Sequence, residues 1–360
     1  MPAGGGLDVR QAGVAAPTVG ADNALLGDTA APARRSRRRR LAVSLGSYVG
    51  MVFVLLTLNF LIPRAMPGDP IQGLVGQASA NFTFGDQTKV ALEKYYGLRG
   101  SLPSQYVHYL SRLAHGDLGR TITTNAKVAT ELRRRAGWTV LLLGTSTVVA
   151  TGLGTVAGIH SGWRRDRPMD RGLMTVLLVV QEFPAFLLGA LILYLFAVKL
   201  GWFPLAHGQA DFSGSFSLFR KVVDMADHLV LPLVVLTAAI AADSYLVMRS
   251  SMVSELGSDY LRLGRAKGLR DRRLKYRHAA RNALLPLVAL TAVDVGFAVT
   301  ANIVVERIFS YPGLGGLLFD SIAKRDYPAI QGVFLVLSVG IVTVNAVADA
   351  LYRKLDPRTA

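Results

Sequence analysis

The sequence predicts an all-α membrane protein with six transmembrane helices. The 360-residue chain is 51% hydrophobic and 18% charged, whereas about a quarter of the residues in an average soluble domain are charged. Its net charge is +16, and the basic residues alternate with long apolar runs, which is typical of membrane proteins with positive cytoplasmic loops. We therefore expect a lipid bilayer, and not nucleic acid, as the partner of these charges.

The composition argues against several kinds of site. The chain has no cysteine, which excludes a disulfide framework and a Cys-ligated zinc or iron–sulfur centre. It has no Gly-Lys dipeptide, so it lacks a Walker A loop for nucleotide phosphates. No Ser-His-Asp or paired-carboxylate arrangement is recognisable either. We therefore expect no catalytic residue, cofactor or metal on this chain, and any ATP must bind to another subunit.

The predicted order of segments follows the alternation of basic and apolar stretches. Residues 1–40 are predicted to be a disordered basic tail, 41–63 the first span, 64–137 an extracytoplasmic segment with short helices, 138–352 a core of five further spans, and 353–360 a tail. Each apolar run is long enough for a helix to cross a bilayer core. The predicted spans are Leu41–Ile62, Trp138–Ile159, Gly172–Val198, Leu229–Met248, Leu284–Val305 and Ile330–Leu351.

Charge asymmetry predicts the orientation of these spans. With the N-terminus inside, the inner segments carry 24 Lys and Arg residues and the outer segments carry 16. Ten of the outer charges lie in the long segment 64–137, and segments of that length translocate largely regardless of charge. The sequence therefore predicts a multi-pass cell-membrane protein with both termini in the cytoplasm.

Two features indicate how the spans pack. Gly154, Gly158 and Gly162 recur at four-residue spacing, which lets another helix approach closely. Pro184 interrupts the third span, and we expect it to kink the helix because proline removes a backbone hydrogen bond.

Three acids are predicted at membrane depth, namely Glu182, Asp243 and Asp294. Charges there are costly, so they normally face a bundle interior or a wet cavity. They could attract a cationic group of a substrate, or they could pair with groups on another subunit.

The loop 254–283 after the fourth span is strongly basic. Ser258 is a candidate N-cap for a short helix, and Gly268 is a plausible stop. A second basic segment, 270–282, precedes the next span. The pattern predicts two short helices, parallel to the membrane and separated by glycine, although an ordinary positive loop is the simpler alternative.

The residues of this loop closely resemble the EAA loop of ABC-importer permeases, in particular the dipeptide, oligopeptide and nickel branch. The similar stretches are Asp259-Tyr260-Leu261-Arg262, Arg265-Ala266-Lys267-Gly268-Leu269 and His278-Ala279-Ala280-Arg281-Asn282-Ala283-Leu284-Leu285-Pro286. Further motifs of that branch are Pro67-Gly68-Asp69-Pro70, Gly116-Asp117-Leu118-Gly119, Glu306-Arg307-Ile308-Phe309-Ser310-Tyr311-Pro312-Gly313-Leu314-Gly315, Arg325-Asp326-Tyr327-Pro328 and Leu355-Asp356-Pro357-Arg358. The resemblance covers roughly residues 41–358.

The resemblance implies a type I importer permease fold and a defined set of partners. These are a second homologous permease subunit, one or two cytosolic ATPase subunits that hold ATP and Mg, and an extracytoplasmic solute-binding protein that segment 64–137 would receive. It also implies that the loop helix docks on an ATPase. The implied coupling residues are Asp259, Tyr260, Arg262, Leu263, Gly264, Arg265, Ala266, Lys267, Gly268 and Leu269. The candidate substrate-pathway residues are Glu182, Asp243, Asp294, Asn302 and Glu306.

Two positions depart from the family's commoner pattern. Gly264 stands where alanine is common, and this change could soften the helix. Arg262 stands where an acid is frequent in the wider family, and in this it follows the variant found in the peptide branch.

The implied function is ATP-driven import of short peptides. The alternatives are import of nickel or another metal chelate, an ion-gradient-driven secondary transporter in which the acids relay protons, and, least favoured, a membrane-embedded enzyme.

Overall fold

The computed structural model describes residues 46, 50–67, 86–211 and 213–355. The chain divides into the units Met1–Val54 and Leu55–Ala360. The described part is helical, and no β-strand occurs within it. The helices are α1 (Gly50–Ala65), α2 (Asp86–Tyr95), α3 (Leu102–Ala114), α4 (Val128–Trp163), α5 (Pro168–Gln181), α6 (Ala185–Lys199), α7 (Leu218–Leu256), α8 (Asp259–Ala266), α9 (Ala280–Ile308), α10 (Leu314–Ala323) and α11 (Tyr327–Leu355).

Three of the described helices are individually long and apolar enough to span a membrane: α4, α7 and the stretch Tyr327–Ala348 of α11. Two bent pairs, α5 with α6 and the segment 271–308, raise the number to five if each pair forms one span. The described part of α1 is shorter than a spanning helix. The structure therefore agrees with a multi-pass membrane protein, while the predicted count of six is not confirmed.

Several predictions fall wholly or partly outside the described residues. These are the basic tail 1–40, most of the first half of the predicted span 41–63, all but the first residue of the Pro67-Gly68-Asp69-Pro70 motif, and the end of the tail 353–360.

The glycine pattern of α4 lies against α7, as predicted. A Cβ atom at Gly154 would come within 2.7 Å of the Ala241 carbonyl oxygen, and one at Gly158 within 2.7 Å of the Met248 Cβ. At Gly162 it would lie 2.6 Å from the Cβ of Met252. Because no side chain fits at these three positions, the two helices pack with their backbones in close approach.

The chain bends at Pro184 as predicted, but the helix is broken there and not merely kinked. The helix α5 ends at Gln181, α6 begins at Ala185, and their axes differ by 98°. Pro184 occupies the N-cap position of α6, where its missing N–H costs no helical hydrogen bond.

The short helices predicted within 64–137 are α2 and α3. The helix α3 packs on the end of α1, where Phe60 is 2% exposed and its ring meets Tyr106 edge-on at 5.0 Å. Asn59 donates hydrogen bonds to the Tyr109 hydroxyl at 3.2 Å and to the Gln331 carbonyl at 2.9 Å. This layer is therefore tied both to α1 and to α11.

Candidate functional site

The helix α8 is the short amphipathic helix predicted in the loop after α7. Ser258 is its N-cap residue by backbone geometry, with φ −71° and ψ 143°. Its side chain, however, donates to the Glu255 carbonyl at 2.6 Å and accepts no bond from an α8 N–H. The predicted N-cap position is therefore confirmed, although the Ser258 hydroxyl closes the preceding turn and does not cap an α8 N–H.

The end of α8 is a Schellman motif built on Gly268. The Gly268 N–H donates to the Arg265 carbonyl at 2.9 Å, and the Leu269 N–H donates to the Gly264 carbonyl at 3.1 Å. Gly268 has φ +74°, a left-handed conformation that glycine adopts at no steric cost. The predicted glycine stop is confirmed.

One side of α8 is buried against the ends of three longer helices. Leu261 is 0% exposed, and Gly264 lies over Leu274, whose Cδ2 would be 2.6 Å from a Cβ on that glycine. An alanine here would have to displace a buried leucine, so Gly264 permits close packing beneath α8. The other members of the cluster are Ile159, Met248, Met252, Ala279, Ala280, Ala283 and Leu287.

The opposite side of α8 is exposed and combines apolar and basic groups. Leu263 is 56% exposed and Tyr260 is 37% exposed. Burial and the hydrogen bond to the Glu255 carboxylate raise the pKa of Tyr260, whose hydroxyl is the donor in that bond. The remaining predicted coupling residues that are exposed are Asp259, Arg262, Arg265, Ala266, Lys267 and Gly268, while Leu269 is half-buried.

The second predicted short helix is not a separate element. Residues 271–273 form one helical turn, the π-helical turn Leu274–Ala279 follows, and this leads directly into α9. The prediction of two separate helices is therefore wrong, because the apolar Leu274 and Ala279 bury themselves beside α8 and keep the chain helical.

A buried ionic network that the sequence analysis missed lies beneath this region. Asp170 at the start of α5 is 1% exposed, and Arg249 near the end of α7 donates to its two carboxylate oxygens, each at 2.7 Å. Ser161 of α4 donates to the same carboxylate and bonds the Tyr245 hydroxyl at 2.7 Å. The sequence did contain a signal for this pairing, because Asp170 and Arg249 are opposite charges at the predicted inner ends of the third and fourth spans.

The three acids predicted at membrane depth have different surroundings. Gln181, at the end of α5, donates to Asp243 of α7 at 2.7 Å. Asp294 of α9 lies close enough to Asp243 for their charges to interact, and its Oδ2 is buried without a hydrogen-bond partner in the described residues. Glu182 is exposed in this chain, and its setting against a wet cavity or a second subunit stays a prediction.

Glu306 and Asn302 are buried at the far end of α9. The Glu306 side chain is 0% exposed and accepts from Thr139 and Asn302 at 2.7 Å each and from the Gly315 N–H at 2.6 Å. The Leu314 N–H donates to the Thr139 hydroxyl at 2.8 Å. Glu306 thus joins α4, α9 and the start of α10.

The described part of segment 64–137 is held by a third buried acid. Asp326 is 1% exposed and accepts from the Thr123 N–H and hydroxyl at 3.1 and 3.0 Å. On the exposed part of this segment, the Gly119 N–H and the Arg112 guanidinium lower the pKa of Asp117.

Comparisons with known proteins place the chain in a family. Residues 151–360 match the family described as binding-protein-dependent transport system inner membrane component. The chain is 36% identical over 307 residues to the glutathione transport system permease protein GsiC of Escherichia coli (strain K12), an alignment that covers 85% of this chain and 94% of the relative. It is also 36% identical over 311 residues to a protein of Brucella suis biovar 1 (strain 1330) named as a candidate peptide permease, with 86% and 95% covered.

The region matched by the family contains α8, most of the buried apolar cluster on which α8 packs, and the basic segment that follows. The alignments with the two relatives cover most of the chain. The chain belongs to the family of inner membrane components of binding-protein-dependent ABC transport systems, whose members are permease subunits.

Proposed function

We propose that the chain is one of two permease subunits of an ATP-driven importer of short peptides, and that α8 couples it to an ATPase. The observation that carries the proposal is the two-sided character of α8. Leu261 and Gly264 anchor the helix to the ends of α4, α7 and α9, while Tyr260 and Leu263 stay exposed. An exposed apolar pair with basic neighbours suits docking in a groove of a partner.

The anchoring explains how force would reach the spans. Because α8 packs on three helix ends, a displacement of α8 displaces those ends together, and nucleotide-driven closure of the ATPases would then turn the spans between inward-facing and outward-facing states. ATP and Mg bind to the ATPases in this proposal, and this chain performs no chemistry.

The remaining partners follow from the same proposal. Both termini and α8 face the cytoplasm, and the layer formed by α2 and α3 receives a solute-binding protein on the opposite side. The names of the similar permeases, for glutathione and for peptides, support a short peptide as the substrate. Gln181, Asp243 and Asp294 are candidates to face the path, where an acid pair would attract the amino terminus of a peptide.

The test uses two glycines that flank α8 and receive the same substitution. Gly268 has φ +74°, whereas Gly257 has φ −82°, and neither has a neighbour that would clash with a methyl group. Alanine at 268 is strained by roughly 1–2 kcal/mol, which favours unwinding of the last turn of α8. Gly268→Ala should therefore reduce uptake of a labelled dipeptide by proteoliposomes containing the whole importer, Gly268→Val should abolish it, and Gly257→Ala should leave it unchanged.

Thermal unfolding of each purified variant shows whether the permease itself remains folded. Equal uptake by Gly268→Val and the wild-type importer would contradict the proposal. Uptake that persists when the ATPases are left out would instead support a secondary transporter.

A further inference from the structure

A cavity of about 1060 Å³ opens beside α8. Its walls come from the ends of α4 and α7, from Arg265 on α8, and from residues 271–276 before α9. Among its lining residues Asp271 is the single acid, and the cations are Arg164, Arg165, Arg167, Arg265, Arg272 and Lys275. We call this the basic cavity.

Lys275 is the most buried of the cations that line the basic cavity. Its side chain is buried, at 8% exposure, and among the described residues it makes no hydrogen bond and no ion pair. Its ammonium lies 5.0 Å from the centre of the Tyr276 ring, and the nearby Arg164 guanidinium repels it. The six cations lining the cavity, with one acid among them, repel one another, so a bound anion would stabilise this arrangement.

The rim of the cavity is continuous with an exposed apolar face of α4. Leu153 and Val156 are 57% and 56% exposed on this spanning helix, and His160 follows Val156 by one turn on the same face. The Tyr276 hydroxyl and the His160 Nε2 are 3.0 Å apart. Trp163 also lines the cavity, and such aromatic residues collect where helices leave the bilayer. The cavity therefore adjoins an exposed apolar surface of a spanning helix.

We propose that the basic cavity binds the phosphate headgroup of an anionic phospholipid, with Lys275 and Arg164 contacting the phosphate and an acyl chain lying along Leu153 and Val156. Cation-rich pockets between membrane helices on the cytoplasmic side suit such headgroups. A phosphate ion shares this chemistry, but the apolar face beside the rim favours a lipid. The assignment to the inner leaflet rests on the orientation proposed above.

The experiment measures lipid binding by the full chain, purified in detergent without its partners. Phosphatidylglycerol, phosphatidylcholine and inorganic phosphate are titrated separately, and bound lipid is counted by native mass spectrometry together with the melting temperature. The variants are Arg164→Gln, at an exposed position, and Lys275→Gln, at a buried one. Arg281→Gln, an exposed arginine outside the cavity, is the matched control.

We expect phosphatidylglycerol to bind and to raise the melting temperature, and phosphatidylcholine and inorganic phosphate to do neither. Removing both cations should weaken binding by about thirtyfold, since each cation near an anionic lipid contributes about 1 kcal/mol of binding free energy. Arg164→Gln alone should weaken it about fivefold, so the test survives if Lys275→Gln does not fold. Arg281→Gln should bind as the wild type does.

Three results would overturn the proposal. They are equal binding of phosphatidylcholine, equal stabilisation by inorganic phosphate, and an equal loss of binding in Arg281→Gln. In a separate titration with the ATPase added, displacement of the lipid together with weaker binding of the ATPase to Lys275→Gln would also overturn it, because the counter-charge would then be an acidic group of that subunit. Peptide uptake is not measured, so failure of this proposal is distinct from failure of the proposed function.

Discussion

Glu306 is a fully buried acid whose carboxylate connects three parts of the chain. It accepts hydrogen bonds from Thr139, Asn302 and the Gly315 N–H. A buried carboxylate is costly unless its oxygens are satisfied, and here both oxygens have donors. The backbone of residues 313–315 passes close to this carboxylate. This explains the glycine at 313, where a Cβ would collide with the Glu306 carboxylate. We therefore assign Glu306 a structural role at the end of α9 opposite α8.

Glu306→Gln should destabilise the protein. The amide nitrogen would replace one acceptor oxygen and face a donor, which leaves at least one buried donor unsatisfied at a cost of about 1–3 kcal/mol. Asp320→Asn is the control, because Asp320 forms an ion pair with Arg307 at 3.2 Å in which both side chains are about half exposed, and such pairs contribute about 1 kcal/mol or less. Thermal unfolding in detergent measures both, and equal melting temperatures would contradict the assigned role.

Two helices, α4 and α7, determine how motion at α8 is transmitted to the spans. They touch along the glycines of α4, the Ser161 and Tyr245 hydroxyls bond to each other between them, and Asp170 of α5 pairs with Arg249 of α7. Close backbone packing combined with this hydrogen bond makes the ends of α4 and α7 behave as one unit, and the ion pair attaches the start of α5 to it. Since α8 rests on that unit through Met248 and Met252, the two helices should move with it.

Gly158→Ala should separate α4 from α7, whereas Gly152→Ala on the same helix should not. A methyl group at 158 would lie 2.7 Å from the Met248 Cβ and 2.9 Å from the Tyr245 carbonyl oxygen, but nothing lies within 4 Å of one at 152. Overpacking of this kind costs about 1–3 kcal/mol, while an open helical glycine gains up to about 1 kcal/mol as alanine. A lower melting temperature for Gly158→Ala alone is the expected result, and equal behaviour of the two variants would refute the packing argument.

At the scale of the whole molecule, the sequence predicted what depends on local pattern. Apolar runs predicted the spans and Pro184 the break between α5 and α6, and the glycines of α4 predicted a close helix contact. The lengths of two helices were underestimated, because α4 and α7 continue as polar helix beyond the apolar stretches that predicted them. The fusion of the segment after α8 with α9 was missed, since burial of Leu274 beside α8 is a tertiary effect.

The candidate site was predictable where its residues are adjacent in sequence and hidden where they are not. The limits of α8 and the glycine stop came from one stretch of chain. The pairing of Asp170 with Arg249 joins residues 79 positions apart, and the basic cavity assembles cations from three segments. No periodicity or motif in a single sequence shows which distant residues come together in space. The structure was therefore needed to find the ion pair and the basic cavity.

The most direct measurement of the central claim places single cysteines on α8. The chain has no cysteine of its own, so each introduced thiol is unique. Leu263→Cys lies on the exposed side, and Leu261→Cys, on the buried side of the same helix, is its control. Both are treated with a membrane-impermeant maleimide in vesicles of known orientation, with and without the ATPase subunits.

The account predicts that Leu263→Cys is labelled only from the cytoplasmic side, that bound ATPase protects it, and that Leu261→Cys is not labelled under either condition. Labelling of Leu263→Cys from the external side, or undiminished labelling in the assembled importer, would contradict the claim that the exposed side of α8 receives the ATPase.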